Sequence, residues 1–109
     1  MPKKLTYNQK MRALEKNKNG IDFKFSEDRI LADLQEYVEA TYDSHYAQTK
    51  SYQATEIIID QGHGTGFCMG NIMKYAQRYG KKEGHNKADL MKVIHYAIIQ
   101  LSTDHYKEK

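Results

Sequence analysis

The residue types able to do chemistry gather between Gly66 and Lys82, in the string Gly-Phe-Cys-Met-Gly-Asn-Ile-Met-Lys-Tyr-Ala-Gln-Arg-Tyr-Gly-Lys-Lys. On a helix, Asn71, Lys74 and Arg78 fall at i, i+3 and i+7, with Tyr75 and Tyr79 in the adjacent row. One face then holds an amide, two cations and two phenols, and the opposite stripe of Met69, Ile72, Met73 and Ala76 is expected in the core. Arginine forks onto two phosphate oxygens, lysine supplies a movable point charge, and a tyrosine ring offers a face on which a base stacks. These are the parts of a nucleotide site. A plain solvated helix face uses the same charged residues, but Gly70 stands where alanine would favour the helix by about 1 kcal/mol, which predicts close approach of a backbone or ligand there.

Other constellations carry less. Gly62-His63-Gly64-Thr65-Gly66 resembles a phosphate-cradling turn, yet it lacks the Gly-Lys-Ser/Thr ending of a P-loop and the third glycine and leading strand of a dinucleotide fold, so a flexible turn is the reading preferred. The five histidines, His45, His63, His85, His95 and His105, never reach HxxxH or HExxH spacing, so no zinc site within one helix is expected. Asp33, Glu36 and Glu39 recur every three residues, and Glu56 and Asp60 stand four apart. Facing carboxylates of this kind hold magnesium for phosphate chemistry, although the solvated side of an amphipathic helix looks the same.

The elements that must position these groups are helices. Leu5 to Lys18 reads as a short basic helix or arm, Ile21 to Phe25 as a brief extended stretch, and Glu27 to about Tyr42 as a helix capped by Ser26 with Glu27 and Asp28 in its first turn. Asp43 to Ser51 reads as a loop. Gln53 to Gln61 holds an isoleucine triplet that suits a strand, while Ala54, Glu56 and Gln61 permit helical turns, and the pattern leaves both open. A helix over 67–80 ends near Gly80, and Asn86 caps a last helix over 87–105 in which Leu90, Val93, Ile94, Ala97, Ile98 and Leu101 form a continuous core stripe. Asp89, one turn into that helix, is placed to pair with Lys74, Arg78 or Lys92, or to complement the helix dipole. The expected fold is all-α, centred on an antiparallel hairpin of these two helices across the Lys81–His85 turn, with residues 1–25 as an arm and 26–109 as a single domain.

Composition bounds the rest. A chain of 109 residues with 28% charged residues, one cysteine and one proline is the size of one small domain. Such a chain buries only roughly two-thirds of its unfolded surface, so a two-walled site calls for a second copy and a homo-oligomer is expected. One cysteine excludes a disulfide framework, no N-terminal apolar run reads as a signal peptide, and no purely aliphatic run exceeds three residues, as at Ile57-Ile58-Ile59, so a reduced, cytoplasmic, non-membrane protein is predicted. The net charge of +3 divides into +5 over residues 1–24, −6 over 25–60 and +4 over 61–109. Basic ends around an acidic middle fit either phosphate binding or mutual cover, and so small a net charge argues against nucleic acid as the partner.

From His45 onward the chain resembles the SaV-like family of small phage proteins, which includes a nucleotide kinase. The resemblance rests on Ser44-His45-Tyr46, on Phe67-Cys68-Met69-Gly70-Asn71-Ile72-Met73-Lys74-Tyr75 with Arg78 and Gly80-Lys81-Lys82 following, and on Asp89-Leu90-Met91-Lys92 leading to His95-Tyr96. It implies a helical phage protein of the host cytoplasm that acts on nucleotides, moving a phosphoryl group onto deoxynucleoside monophosphates. By that resemblance Asn71, Lys74, Arg78, Lys81 and Lys82 hold phosphates, with Lys74 and Arg78 as the catalytic pair. Gly70 belongs to the same binding string, and His45, Tyr46, Tyr75, Asp89 and Tyr96 orient the base, the sugar or neighbouring side chains. Two alternatives stand beside this: a non-catalytic sponge that sequesters a cyclic or other nucleotide signal of host defence, and magnesium-dependent pyrophosphate release. The acidic pattern is similar to that of the all-α MazG-like pyrophosphatases, where Glu36-x-x-Glu39 fits the first acid pair and Glu56-x-x-x-Asp60 has one residue too many for the second.

Overall fold

The computed structural model describes Thr6 and residues 20–43 and 52–106, and every regular element among them is a helix. The chain divides into two compact units, Met1–Asp43 and Ser44–Lys109. The first holds α1 (Glu27–Asp43), and the second holds α2 (Tyr52–Asp60), α3 (Gly64–Arg78) and α4 (Lys87–His105). The basic helix expected over Leu5–Lys18 and the His45-Tyr46 pair lie outside the described residues.

Helix α1 begins with Glu27 and Asp28 in its first turn, where the positive end of the helix dipole favours acids. Its start differs from the expected Ser26 cap. Ser26 stands at φ +58, in the left-handed region, and the Glu27 carboxylate closes the turn by accepting the Phe25 backbone N–H at 2.9 Å, while the Ser26 carbonyl accepts from Ile30 N. Ala32 and Leu34 are buried.

The isoleucine triplet folds as helix α2, because nine residues without a neighbouring strand satisfy their backbone groups only by pairing along the helix. The chain then turns at Gly62 and enters α3, with His63 N–H donating to the Ile58 carbonyl. Space is tight at Gly64: a Cβ would sit 3.0 Å from Ile59 Cγ1, so a side chain there would push Ile59 aside by a few tenths of an ångström.

Helices α3 and α4 form the antiparallel hairpin. At its open end, Gln100 Nε2 of α4 donates to Thr65 Oγ1 of α3 at 3.0 Å and to Asp104 Oδ2 at 2.8 Å. At its closed end, Arg78 meets Asp89. Asn86 caps α4 as expected, its side-chain oxygen accepting from Ala88 N at 2.9 Å. The Arg78 carbonyl accepts from Lys81 N and Lys82 N, and Gly80 N donates to the Gly84 carbonyl, so the turn is tied back to the end of α3. Gly80 has φ +87 and Glu83 has φ +59, the latter on a residue whose Cβ crowds the following carbonyl in that conformation. Glu83→Gly is therefore expected to raise the unfolding free energy by about 1 kcal/mol, the αL penalty less the extra freedom glycine has in the unfolded chain. A denaturant midpoint that fails to rise would show that the turn carries no strain.

The core stripes differ from the periodic reading. On α3 the interior row is Gly64, Phe67, Cys68, Asn71, Tyr75 and Arg78, while Met69 and Met73 are 44% and 64% exposed. On α4 the buried residues are Asp89 and Met91, and Leu90, Ile98 and Leu101 are exposed. A helix with apolar groups on two sides satisfies the same period in either orientation. The ion pair and the aromatic contacts across the hairpin determine which side turns inward.

Candidate functional site

Asn71, Tyr75 and Arg78, expected on an outward chemical face, line the interface with α4, which supplies Asp89, Lys92 and Tyr96 one to two turns apart. Asp89 is 1% exposed, and its Oδ1 lies 3.3 Å from Arg78 Nε. Of the three cations the sequence offered it, Asp89 takes Arg78. Its Oδ2 has no hydrogen-bond partner among the described residues. The pair grips Arg78 by the inner nitrogen of the guanidinium, and the side chain remains 28% exposed.

Tyr75 is the centre of the cluster. Lys74 Nζ lies 5.0 Å from its ring centroid, Arg78 Cζ 5.4 Å and Lys92 Nζ 5.5 Å. Its ring stacks on Tyr96 at 6.2 Å and 10°, and Tyr96 in turn takes Phe67 edge-on at 5.8 Å and 79°. Three cations converge because the ring's negative face attracts them and the buried carboxylate offsets one charge. Lys74 and Lys92 form no ion pair among the described residues. The local sum, three positive charges against one negative, leaves an excess of positive charge that an anion can neutralise. Tyr96 lies parallel to the Tyr75 ring, and the three cations stand around it.

The remaining candidates are placed apart from this centre. The Asn71 side chain turns back on its own helix and donates to the Phe67 carbonyl at 2.9 Å, so that amide hydrogen is already used. No atom of the described residues lies within 4 Å of a Cβ built on Gly70, so close backbone approach does not explain that glycine and the space beside it is open. Lys81 and Lys82 are exposed on the turn. Beside the turn, His85 packs on Tyr79 at 5.1 Å. Glu36 and Glu39 lie on α1, Glu56 and Asp60 on α2, and no three His, Cys, Asp or Glu side chains gather to hold a metal ion among the described residues.

Two residues of the cluster escaped the sequence reading as site members, Lys92 and Phe67. Lys92 stood among the cations offered to Asp89 and, like Phe67, in the strings that carry the family resemblance, but neither was given a role at the site. Their signal is the i, i+3, i+7 row Asp89, Lys92, Tyr96, which faces the Tyr75 row of α3.

Two further groups on the hairpin are titratable and buried. The Cys68 thiol is fully enclosed, and burial, aided by the Asp104 charge, pushes its pKa up, which keeps it a packing residue and a poor nucleophile. Burial lowers the pKa of His95 below the ordinary imidazole value near 6.5. The unfolded chain therefore takes up this proton first as pH falls, so His95 leaves stability unchanged above about pH 6.5 and lowers it below. Urea midpoints measured between about pH 7.5 and pH 5 should fall with acidity, and His95→Gln should flatten that slope; an unchanged slope in the variant would remove His95 as its source.

No described helix is long and apolar enough to cross a membrane. A family profile described as a protein of unknown function (DUF3310) matches residues 40–98. No curated protein and no solved structure matches the chain.

Proposed function

The chain belongs to the DUF3310 family, whose matched stretch contains every residue of the Tyr75 cluster, and for that cluster we propose a role in binding nucleotides through their phosphates, with phosphoryl transfer to a deoxynucleoside monophosphate as the reaction. The observation that carries the binding role is the convergence of Lys74, Arg78 and Lys92 on one tyrosine with a single buried acid in reach. Lysines on flexible stems, without ion-pair partners among the described residues, suit a phosphate whose oxygens move, and Arg78, ion-paired to Asp89 at 3.3 Å and 28% exposed, has outer nitrogens to offer a second anion.

The transfer step draws on the resemblance to the phage family. An acceptor phosphate oxygen bonds to the terminal phosphorus of a triphosphate donor, and the bond from that phosphorus to the bridging oxygen breaks, releasing the diphosphate. Such a reaction asks the protein mainly for positioning and charge neutralisation, which three cations on a rigid hairpin supply. Lys81 and Lys82 on the adjoining turn are the groups nearest in sequence for a donor's outer phosphates. A homo-oligomer in the cytoplasm of a phage-infected host completes this reading.

Incubating the purified chain with each deoxynucleoside monophosphate and a triphosphate donor with magnesium is the test. Diphosphate product above that of Lys74→Ala supports transfer. Native mass spectrometry of the same protein separates the alternatives: a nucleotide retained and recovered unchanged, with no product, replaces the kinase by a sequestering binder, and no retained nucleotide overturns the binding role itself.

A further inference from the structure

The Arg78–Asp89 pair is buried and yet incomplete. Asp89 is 1% exposed and its Oδ1 lies 3.3 Å from Arg78 Nε, but the enclosed Nε–H makes no hydrogen bond, and neither does Asp89 Oδ2. A pair kept only for stability has its hydrogen bonds made, because an unmet buried polar group costs more than a made bond returns. The two unmet atoms belong to the Tyr75 cluster. Arg78 Cζ is 5.4 Å from that ring, and Lys74 and Lys92 stand around it without ion-pair partners among the described residues.

A small turn of the guanidinium answers both atoms at once. With its plane brought into that of the carboxylate, Nε–H points at Oδ1 and an outer N–H of the same edge reaches Oδ2, the two-point geometry that arginine and carboxylate prefer. The opposite edge of the fork then faces away from Asp89, and the side chain is 28% exposed, so that edge is offered to a ligand. In the free chain the guanidinium divides itself between the Tyr75 ring and Asp89 and satisfies the carboxylate only in part. An anion on the outer edge prefers the same plane from the other side, and hydrogen bonds at such sites are often long or misaligned before the ligand arrives and tighten when it does.

We infer that Asp89 is a positioning residue for the anion at the Tyr75 cluster: when an anion takes the outer edge of Arg78, the guanidinium turns into the plane of the Asp89 carboxylate, with Nε–H donating to Oδ1 and an outer N–H to Oδ2. This rests on the anion-binding role proposed for the cluster, and adds to it a group that acts through Arg78 without touching the ligand. Lys74 and Lys92 attract the anion from flexible stems, and Asp89 gives the site one cation of set direction.

Proton–nitrogen correlation spectra of the full chain, titrated with inorganic pyrophosphate, read the Arg78 Nε–H directly. Its proton resonance should move downfield in step with the backbone amides of Lys74 and Lys92, and the carboxylate carbon of Asp89 should move with it. In Asp89→Asn the Nε–H shift should fall by about half or more, since a neutral acceptor makes the weaker bond, while the Lys74 and Lys92 amides still respond. The Asp89 carbon of the wild-type chain keeps the test valid if the variant loses helical circular dichroism. An Nε–H that stays in place while Lys74 and Lys92 respond overturns the inference and leaves the binding role standing. So does an Nε–H that moves without the Asp89 carbon, or that moves as far in Asp89→Asn, because the bond is then made to the anion itself. No response of any of these groups to pyrophosphate or to a nucleoside triphosphate overturns the binding role and the inference together.

Discussion

Arg78→Met is expected to lower the unfolding free energy by about 3 kcal/mol. The size follows from an asymmetry in the pair. Asp89 is 1% exposed, one of its oxygens has no hydrogen bond among the described residues, and Arg78 is its counter-ion at 3.3 Å. Removing the guanidinium leaves a carboxylate that cannot reach water without opening the hairpin, and an uncompensated buried charge costs several kcal/mol. The reverse change is milder. Asp89→Leu leaves an arginine that is 28% exposed and long enough to turn outward, so a loss of about 1 kcal/mol is expected. Urea unfolding followed by circular dichroism measures both. Equal losses for the two variants would show that burial of Asp89 does not dominate the pair.

The second large effect concerns the ligand. Replacing Lys74 or Lys92 with alanine should weaken binding of a nucleoside triphosphate by about 10-fold to 100-fold each, the range of one charge-assisted contact to phosphate. Stability should change by less than about 0.5 kcal/mol, because neither lysine is buried or ion-paired among the described residues. The two properties thus separate at these positions and coincide at Arg78. Isothermal titration at low and moderate salt is the measurement, and binding should weaken with salt as expected for contacts between partly exposed charges. Alanine variants that retain full affinity would move the anion site away from Tyr75, with the exposed lysines Lys81 and Lys82 the next to replace.

Much of the fold was legible because its signals are local. Asn86 caps α4 since its short side chain reaches the Ala88 amide wherever a helix starts after it, and Glu27 and Asp28 favour the start of α1 through the dipole alone. The hairpin itself followed from two helical patterns separated by a short glycine-containing turn. The start of α1 was less legible, because the left-handed Ser26 depends on the Phe25 amide reaching Glu27. Helix or strand for the isoleucine triplet was open, since β-branched residues suit a strand only when another strand is there to pair with it.

The sequence by itself determined that this chain is helical, that its cations and tyrosines crowd the closed end of one hairpin, and that Asp89 stands within reach of them. These follow from periodicity, capping and turn chemistry, each acting over a few residues. Tertiary structure decided which side of each helix faces inward. It placed Asn71, Tyr75 and Arg78 inside and Met69 and Met73 outside, and gave Asp89 to Arg78. It brought Lys92 to Tyr75 and left Leu90, Ile98 and Leu101 of the α4 stripe exposed. The reason is that a helix with two apolar or amphipathic sides fits its own period equally well in either rotation. Contacts across the hairpin distinguish the two: Asp89 with Arg78, Tyr75 with Tyr96, Phe67 with Tyr96 and Gln100 with Thr65.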